Sequence, residues 1–335
     1  MRVTVLGAGS WGTTLASLLA ARSETMLWAR EPEVADAVSH NHENPVFLPG
    51  FALSPDLRAT SDLETALGEA EIVLVAVPSQ HFRTVIETAR PFVPGDVDLV
   101  TVTKGIEAGT CRRMTEVLDE TLGHDPSRVC VLSGPNIARE VTAGEPSATV
   151  IASRDVARAE RLQQLLMTDS LRVYTNPDVV GCEVGGAVKN VLAIAAGIGD
   201  GLGFGWNTKA ALITRGLAEL TRLGVALGGT PLTFLGLAGN GDLIATCSSP
   251  HSRNRHVGEE LGKGRPLREI LDPMRMVAEG VGTTPGVLGL ARRLGVDMPI
   301  SEKVGAVLAG ELSAAEVVHL LMQRDAKPEL HGLTR

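Results

Sequence analysis

The 335-residue chain is too long for one ordinary core and about the length of two domains, and 44% hydrophobic residues supply the apolar surface to fill them. A formal charge of −8, with no basic run carrying interleaved aromatics, excludes nucleic acid as a partner, so attraction for an anionic ligand has to be local. Aromatics make up only 3% against 37 glycines, so the cores are expected to consist of Val, Leu, Ile and Ala, and disorder is excluded.

The chain opens with MRVTVLGAG, a strand pattern from the first residues that leaves no room for a signal peptide. VTVLGAGSWGTTLASLLAA then reads as strand, glycine turn and helix, with Gly7, Gly9 and Gly12 in the G-x-G-x-x-G spacing of a dinucleotide site. Gly7 suits the tight turn, Gly9 the approach of a pyrophosphate, and Gly12 close packing of helix on strand. Ser10 and Trp11 lie at the loop tip, where they either touch the cofactor or fill the turn.

The next strand pattern, ETMLWAR, ends at Arg30, a guanidinium suited to a 2′-phosphate, while Glu31 follows and could serve the ribose hydroxyls. This favours NADP(H) and leaves NAD(H) open. EIVLVAVPS, DLVTVTKG, RVCVLSGP and SATVIAS are further strands alternating with helical segments. Such alternation predicts an α/β fold whose N-terminal part is a Rossmann-type doubly wound parallel sheet. Lys104 in TVTKGIE falls just past a strand, at the carboxyl edge where open α/β sheets bind ligands.

Beyond RVYTNPDVV the strand patterns stop, and long helical patterns such as TKAALITRGLAELTRLGVALG and SRNRHVGEELGKG take over. With the boundary near residue 180, residues 1–180 form a nucleotide-binding domain and 181–335 a second, mostly α-helical one that binds substrate. GGAVKNVLAIAAGIGDG, in the first long helix, is nearly all small and apolar yet carries Lys189. Its neighbours on one helix face are Gly185, Gly186, Leu192 and Ala193, either a close helix contact or a cavity floor with one ammonium rising from it. A lysine reaching to solvent from a buried helix is the plainer alternative. The run is interrupted by Lys189 and Asn190 and falls short of a membrane span.

Further on, GNGDLIATCSSPHSRNRHVGEELG places Asp242 after a glycine turn and Ser252, Arg253 and Asn254 at a helix start. Hydroxyl, guanidinium and backbone N–H groups together suit a phosphate, though an N-cap with solvated charges gives the same pattern. The four cysteines show no CxxC spacing, which implies buried thiols in a reducing compartment, a cytoplasmic location and no metal site.

The segments GAGSWGT, TKGIE, SGPNIAREV, AVKNVLAIAAGIGDGL, GLAGNGDLIATC and SRNRHVG, in this order and spacing, resemble the bacterial-type NAD(P)-dependent glycerol-3-phosphate dehydrogenases over nearly the whole chain. The resemblance implies interconversion of dihydroxyacetone phosphate and sn-glycerol 3-phosphate, a homodimer, and a product feeding glycerophospholipid synthesis. It implies that Lys189 is the general acid/base and that Lys104 lies near both substrate and nicotinamide. Gly134, Asn136, Asp242, Ser252, Arg253 and Asn254 fall on substrate-contacting positions. Ser10, Trp11, Arg30, Lys104, Ala138, Arg253, Val277 and Glu279 fall on cofactor-contacting ones. Asn136, Ile137, Arg139 and Asn240 depart from the residues common in the family. On the residues alone, a hydroxyacid or phosphogluconate type dehydrogenase and a non-catalytic nicotinamide-binding regulator remain rivals. The first is not expected to show SRN after GNGDL, and the second leaves the two lysines and Asp242 without a role.

Overall fold

In the computed structural model, which describes residues 1–329, the chain divides into two compact units. The first comprises Met1–Thr103 and Met114–Val179; the second comprises Lys104–Arg113 and the chain from Val180 onward.

The first unit is built on one sheet of eight strands: β1 (Arg2–Leu6), β2 (Glu24–Trp28), β3 (Arg58–Thr60), β4 (Ile72–Val75), β5 (Asp98–Thr101), β6 (Val129–Ser133), β7 (Ser147–Ala152) and β8 (Leu171–Asn176). Their order is β3-β2-β1-β4-β5-β6-β7-β8, the doubly wound arrangement extended by two strands. The middle strands are apolar on both faces. Ile72 and Leu74 of β4 join the cluster containing Leu15 and Leu19 of helix α1 (Ser10–Ala20), while Val73 and Val75 join the opposite cluster around Phe82 and Ile86. Burial on both sides is what a near-continuous run of Ile, Val and Leu encodes.

Three features differ from the sequence reading. Neither the three-residue β3 nor β8 was among the six expected strands. The sheet is not parallel throughout, because β7 pairs antiparallel with β6 and carries β8 with it. The only helix between β6 and β7 is the five-residue Ala138–Thr142. It spans roughly 8 Å, too short to return the chain along a strand, so β7 starts from the edge where β6 ended. Finally, residues 104–113, read as part of the first domain, pack with the second unit.

That unit is helical and surrounds α2 (Val179–Gly201), with α3 (Trp206–Ala226), α4 (Asp242–Ser248), α5 (Arg253–Gly262), α6 (Glu279–Leu294) and α7 (Pro299–Leu308) among its elements. Among the described residues, α2 is the one helix long and apolar enough to cross a membrane, and 94% of its apolar window is buried inside the protein. Its small residues have a packing reason. A Cβ on Gly197 would overlap the Arg255 carbonyl, and one on Gly258 the Ile194 carbonyl. The α2 and α5 backbones therefore approach closely, which seats the start of α5 near the middle of α2.

Candidate active site

Lys189 projects from the middle of α2. A π-helical turn over Leu237–Gly241 leads straight into α4, and only a glycine at 185 leaves room for the Ala238 carbonyl against α2. Asp242, at the first position of α4, thereby reaches Lys189. The Lys189 ammonium donates to Asp242 Oδ1 at 2.8 Å and to Thr246 Oγ1, one helical turn further on, at 2.6 Å. Lys104 donates to the other carboxylate oxygen, Asp242 Oδ2, at 2.7 Å.

Two ammoniums thus share one carboxylate that is 1% exposed, and the three charges leave one net positive. Burial holds Lys104 down, to about 8; the Asp242 carboxylate opposes this and the Lys189 ammonium adds to it. Such a cluster attracts an anion and keeps an ionisable amine near neutral pH.

A chain of buried amides ties this cluster to two helix starts. Asn190, next to Lys189, donates to the Lys104 carbonyl at 3.0 Å, and its own amide oxygen accepts from Asn254 Nδ2 at 2.9 Å. Asn254 Oδ1 in turn accepts from the Gly280 N–H at 2.9 Å, in the first turn of α6. Each link sits beside a residue expected to touch substrate or cofactor: Lys104, Lys189, Arg253 and Glu279. At the head of α5, Ser252 Oγ accepts from the Arg255 N–H, so it serves as N-cap and keeps its hydroxyl hydrogen for a ligand. Arg253 and Val277 are exposed.

In the sheet unit, Gly7 adopts φ +112°, and a Cβ there would lie 2.7 Å from the Ala76 carbonyl oxygen. A Cβ on Gly12 would overlap the Gly7 carbonyl, whereas one on Gly9 would meet nothing within 4 Å. Gly7 and Gly12 are thus packing residues, and Gly9 faces open space at the N-terminus of α1, with no side chain capping that end. The buried Trp11 Nε1 has no hydrogen-bond partner. An open backbone approach, an uncapped helix start and an orphaned donor together fit the pyrophosphate of a dinucleotide. Ser10 Oγ donates to the Phe47 carbonyl at 2.6 Å, and Arg30 is paired with Glu31 at 2.5 Å.

Gly134, Asn136 and Ala138 follow β6 in this same unit. Gly134 takes φ +149° against Thr149, and Asn136 Nδ2 donates to Thr149 Oγ1 at 3.0 Å. Asn136 Oδ1 is buried without a partner. That oxygen is an acceptor suited to a ligand hydroxyl. Ala138 opens a short helix held to α1 through Thr142 and Thr14, whose hydroxyls lie 2.7 Å apart.

The chain matches the family model described as NAD-dependent glycerol-3-phosphate dehydrogenase N-terminus over residues 2–159 and the corresponding C-terminus model over 178–319. It belongs to the NAD-dependent glycerol-3-phosphate dehydrogenase family. It is 49% identical over 331 residues to glycerol-3-phosphate dehydrogenase [NAD(P)+] 2 of Sphingopyxis alaskensis, covering 99% of each chain. Against the glycerol-3-phosphate dehydrogenase [NAD(P)+] of Citrifermentans bemidjiense the identity is 52%, with 98% of each chain covered. The crystal structure of glycerol-3-phosphate dehydrogenase from Coxiella burnetii is similar at a TM-score of 0.92 and 38% identity, covering 96% of this chain and 99% of that one. A ketopantoate reductase from Ralstonia eutropha, at TM-score 0.62 and 18% identity, shares the fold.

Two residues of the helical cluster were not singled out from sequence. Thr246 and Asn190 both contact the expected residues directly, each with a retrospective signal. Asn190 is the polar companion of Lys189 in an otherwise apolar run, and Thr246 stands one turn after Asp242 on the same helix face.

Proposed function

We propose that this chain reduces dihydroxyacetone phosphate to sn-glycerol 3-phosphate, and catalyses the reverse oxidation, using NAD(P)H, with Lys189 as general acid/base. The observation that carries the reading is the pair of ammoniums on Asp242, with Lys189 at 2.8 Å and Lys104 at 2.7 Å. The bound nucleotide supplies the hydride. Arrival of hydride at the ketone carbon leaves an alkoxide, which needs a proton and a positive field. Lys189 has three N–H groups, of which Asp242 and Thr246 engage two, so the third is aimed by the others at the substrate oxygen. Asp242 holds the ammonium in place, and Lys104 adds the second positive charge.

Arg253, Ser252 and the backbone amides at the start of α5 bind the phosphate, with Asn254 fixing that helix start through Asn190. Gly134 and Asn136 complete the substrate contacts, and the unpartnered Asn136 oxygen accepts from a substrate hydroxyl. Gly9, Ser10, Trp11, Ala138, Val277 and Glu279, with Lys104 and Arg253, hold the nucleotide, and Gly7 and Gly12 act in its binding by packing the turn that presents Gly9. Arg30 favours NADP(H), because a 2′-phosphate can take over its guanidinium from Glu31; a ribose hydroxyl can instead use Glu31, which keeps NAD(H) a substrate.

Four free cysteines support a reducing, cytoplasmic setting, and the exposed apolar Trp206, Leu232 and Leu235 support a homodimer formed through the helical unit. The product supplies glycerophospholipid synthesis. The test is oxidation of NADPH and of NADH by the purified protein with dihydroxyacetone phosphate. Turnover with both, faster with NADPH at limiting nucleotide, is expected; no turnover with either rejects the reaction.

A further inference from the structure

Lys104 sits at the start of an excursion. The chain leaves the sheet unit after Thr103, packs Lys104–Arg113 with the helical unit, and returns at Met114. Within the excursion the backbone closes on itself: Ile106 and Arg113 form an antiparallel bridge, Glu107 N–H donates to the Arg112 carbonyl at 2.9 Å, and Cys111 N–H to the Glu107 carbonyl at 3.0 Å.

Both ends are held by α2. At the entry, Asn190 donates to the Lys104 carbonyl; at the exit, Arg113 Nη1 donates to Glu183 Oε2 at 2.5 Å. Arg113 and Glu183 are both buried, at 9% and 6% exposure. Glu183 and Asn190 are seven residues apart, so they lie on one face of α2, about 10 Å along its axis. From the other side α6 closes on the loop. Ile106 is fully covered, a Cβ on Gly286 would come within 2.7 Å of its side chain, and Gly289 leaves no room for one beside Cys111.

We infer that the Arg113–Glu183 pair is a positioning device for the reaction: it pins the far end of the excursion to α2, the helix that carries Lys189, and so fixes Lys104 on Asp242. The inference rests on the proposed reaction. Its physical content is rigidity. Were Lys104 carried only by the end of β5, its position relative to Lys189 would follow the sheet unit; anchored at both ends on α2, the two ammoniums and Asp242 move as one body. A buried ion pair is a poor source of net stability, since desolvation offsets attraction, but it specifies geometry.

The test compares Arg113→Leu, Glu183→Gln and Arg113→Lys with the parent protein. Arg113→Leu is expected to lower kcat/KM for dihydroxyacetone phosphate roughly 10- to 100-fold, the scale of an ångström-sized misplacement. Glu183→Gln should cost less, and Arg113→Lys should restore most of the loss. Acetylation of Lys104 by acetic anhydride across pH, read by peptide mass spectrometry, supplies the readout that a merely structural role would not move. As the loop loosens and Lys104 hydrates, its reactive fraction should shift to higher pH in Arg113→Leu, together with the alkaline limb of kcat/KM. Variants that melt at lower temperature but keep the parent's labelling profile and alkaline limb would overturn the inference.

If Arg113→Leu does not fold, amide exchange on the parent decides instead. The Glu107 and Cys111 amides are expected to exchange as slowly as those of α2, and exchange at the rate of an open loop contradicts the pinning. Labelling and exchange need no substrate. Failure of the assigned reaction therefore appears as absent turnover in the parent, whereas failure of the pinning appears as unaltered Lys104 chemistry.

Discussion

The nucleotide cradle of the sheet unit is made of backbone, whereas the charged cluster of the helical unit is made of side chains drawn from three distant stretches of chain. In the cradle, Gly7, Gly9 and Gly12 act by what they lack, and all lie within one turn and the helix it opens. In the cluster, Lys104 reaches Asp242 across 138 residues of sequence and Lys189 reaches it across 53. The first construction is local and intolerant of added atoms. The second is non-local and intolerant of lost charge. Substitutions should therefore fail in opposite ways in the two regions.

The largest effect is expected at Gly12. Its Cβ has no space against the Gly7 carbonyl, a backbone atom that cannot turn aside, so Gly12→Val should destabilise the fold by roughly 3 kcal/mol or more and show as lost soluble protein or a lowered melting temperature. Gly9→Ala, in open space, should leave melting unchanged and weaken nucleotide binding about tenfold by blocking the approach of the phosphates. Equal melting losses at the two positions would break the division of the glycines into packing and binding roles.

Next comes the cluster. Asp242→Asn removes the carboxylate that both ammoniums share, and a loss in kcat on the order of 100-fold or more is expected while nucleotide affinity persists. The sign of its pH effect follows from the charges. Asp242 is what holds Lys104 up against burial, so its neutralisation should move Lys104 below its value of about 8, and the alkaline fall in ketone reduction should begin at lower pH. An alkaline limb that stays in place would separate Lys104 from the chemistry.

A smaller effect is expected at the rim of the cradle. Arg30→Ala should raise KM for NADPH roughly tenfold, the worth of about one charge-assisted contact, and leave KM for NADH nearly unchanged. Equal changes for both nucleotides would remove Arg30 from 2′-phosphate selection.

The smallest effect concerns stability alone and lies outside both sites. Glu219 of α3 is 1% exposed and accepts from the Ile300 and Ser301 N–H groups and the Ser301 hydroxyl at the start of α7. Burial pushes its carboxyl up to about 7 despite those donors. The folded state then holds a proton that the unfolded chain has released between about 4.5 and 7, so stability falls as pH rises through that window. Melting temperature should decline between pH 5 and about 7.5 in the parent, and the decline should flatten in Glu219→Gln.

The same contrast explains what could be read from sequence. Six of the eight strands, the fingerprint and the Lys189 helix have signals confined to a few neighbouring residues, period two or period 3.6, and they were legible for that reason. The direction of β7 was not, because alternation looks the same whichever way a strand runs. Nor was the allegiance of residues 104–113, which depends on Asn190 and Glu183, both far along the chain. Lys189 stood out as a charge in an apolar helix, but its partner Asp242 could be joined to it only through the family resemblance or the fold. Thr246 and Asn190 carry no charge, and polar residues of that kind are too common to attract notice until their hydrogen bonds are seen.

The most direct test of the central claim is Lys189→Ala, followed by two readings on one preparation: nucleotide affinity from quenching of intrinsic fluorescence, and kcat with dihydroxyacetone phosphate. Removal of the general acid should lower kcat by roughly 100- to 10,000-fold while affinity stays within about twofold of the parent. Turnover near the parent's rate would contradict the assignment of Lys189 as proton donor, whatever the cluster's geometry.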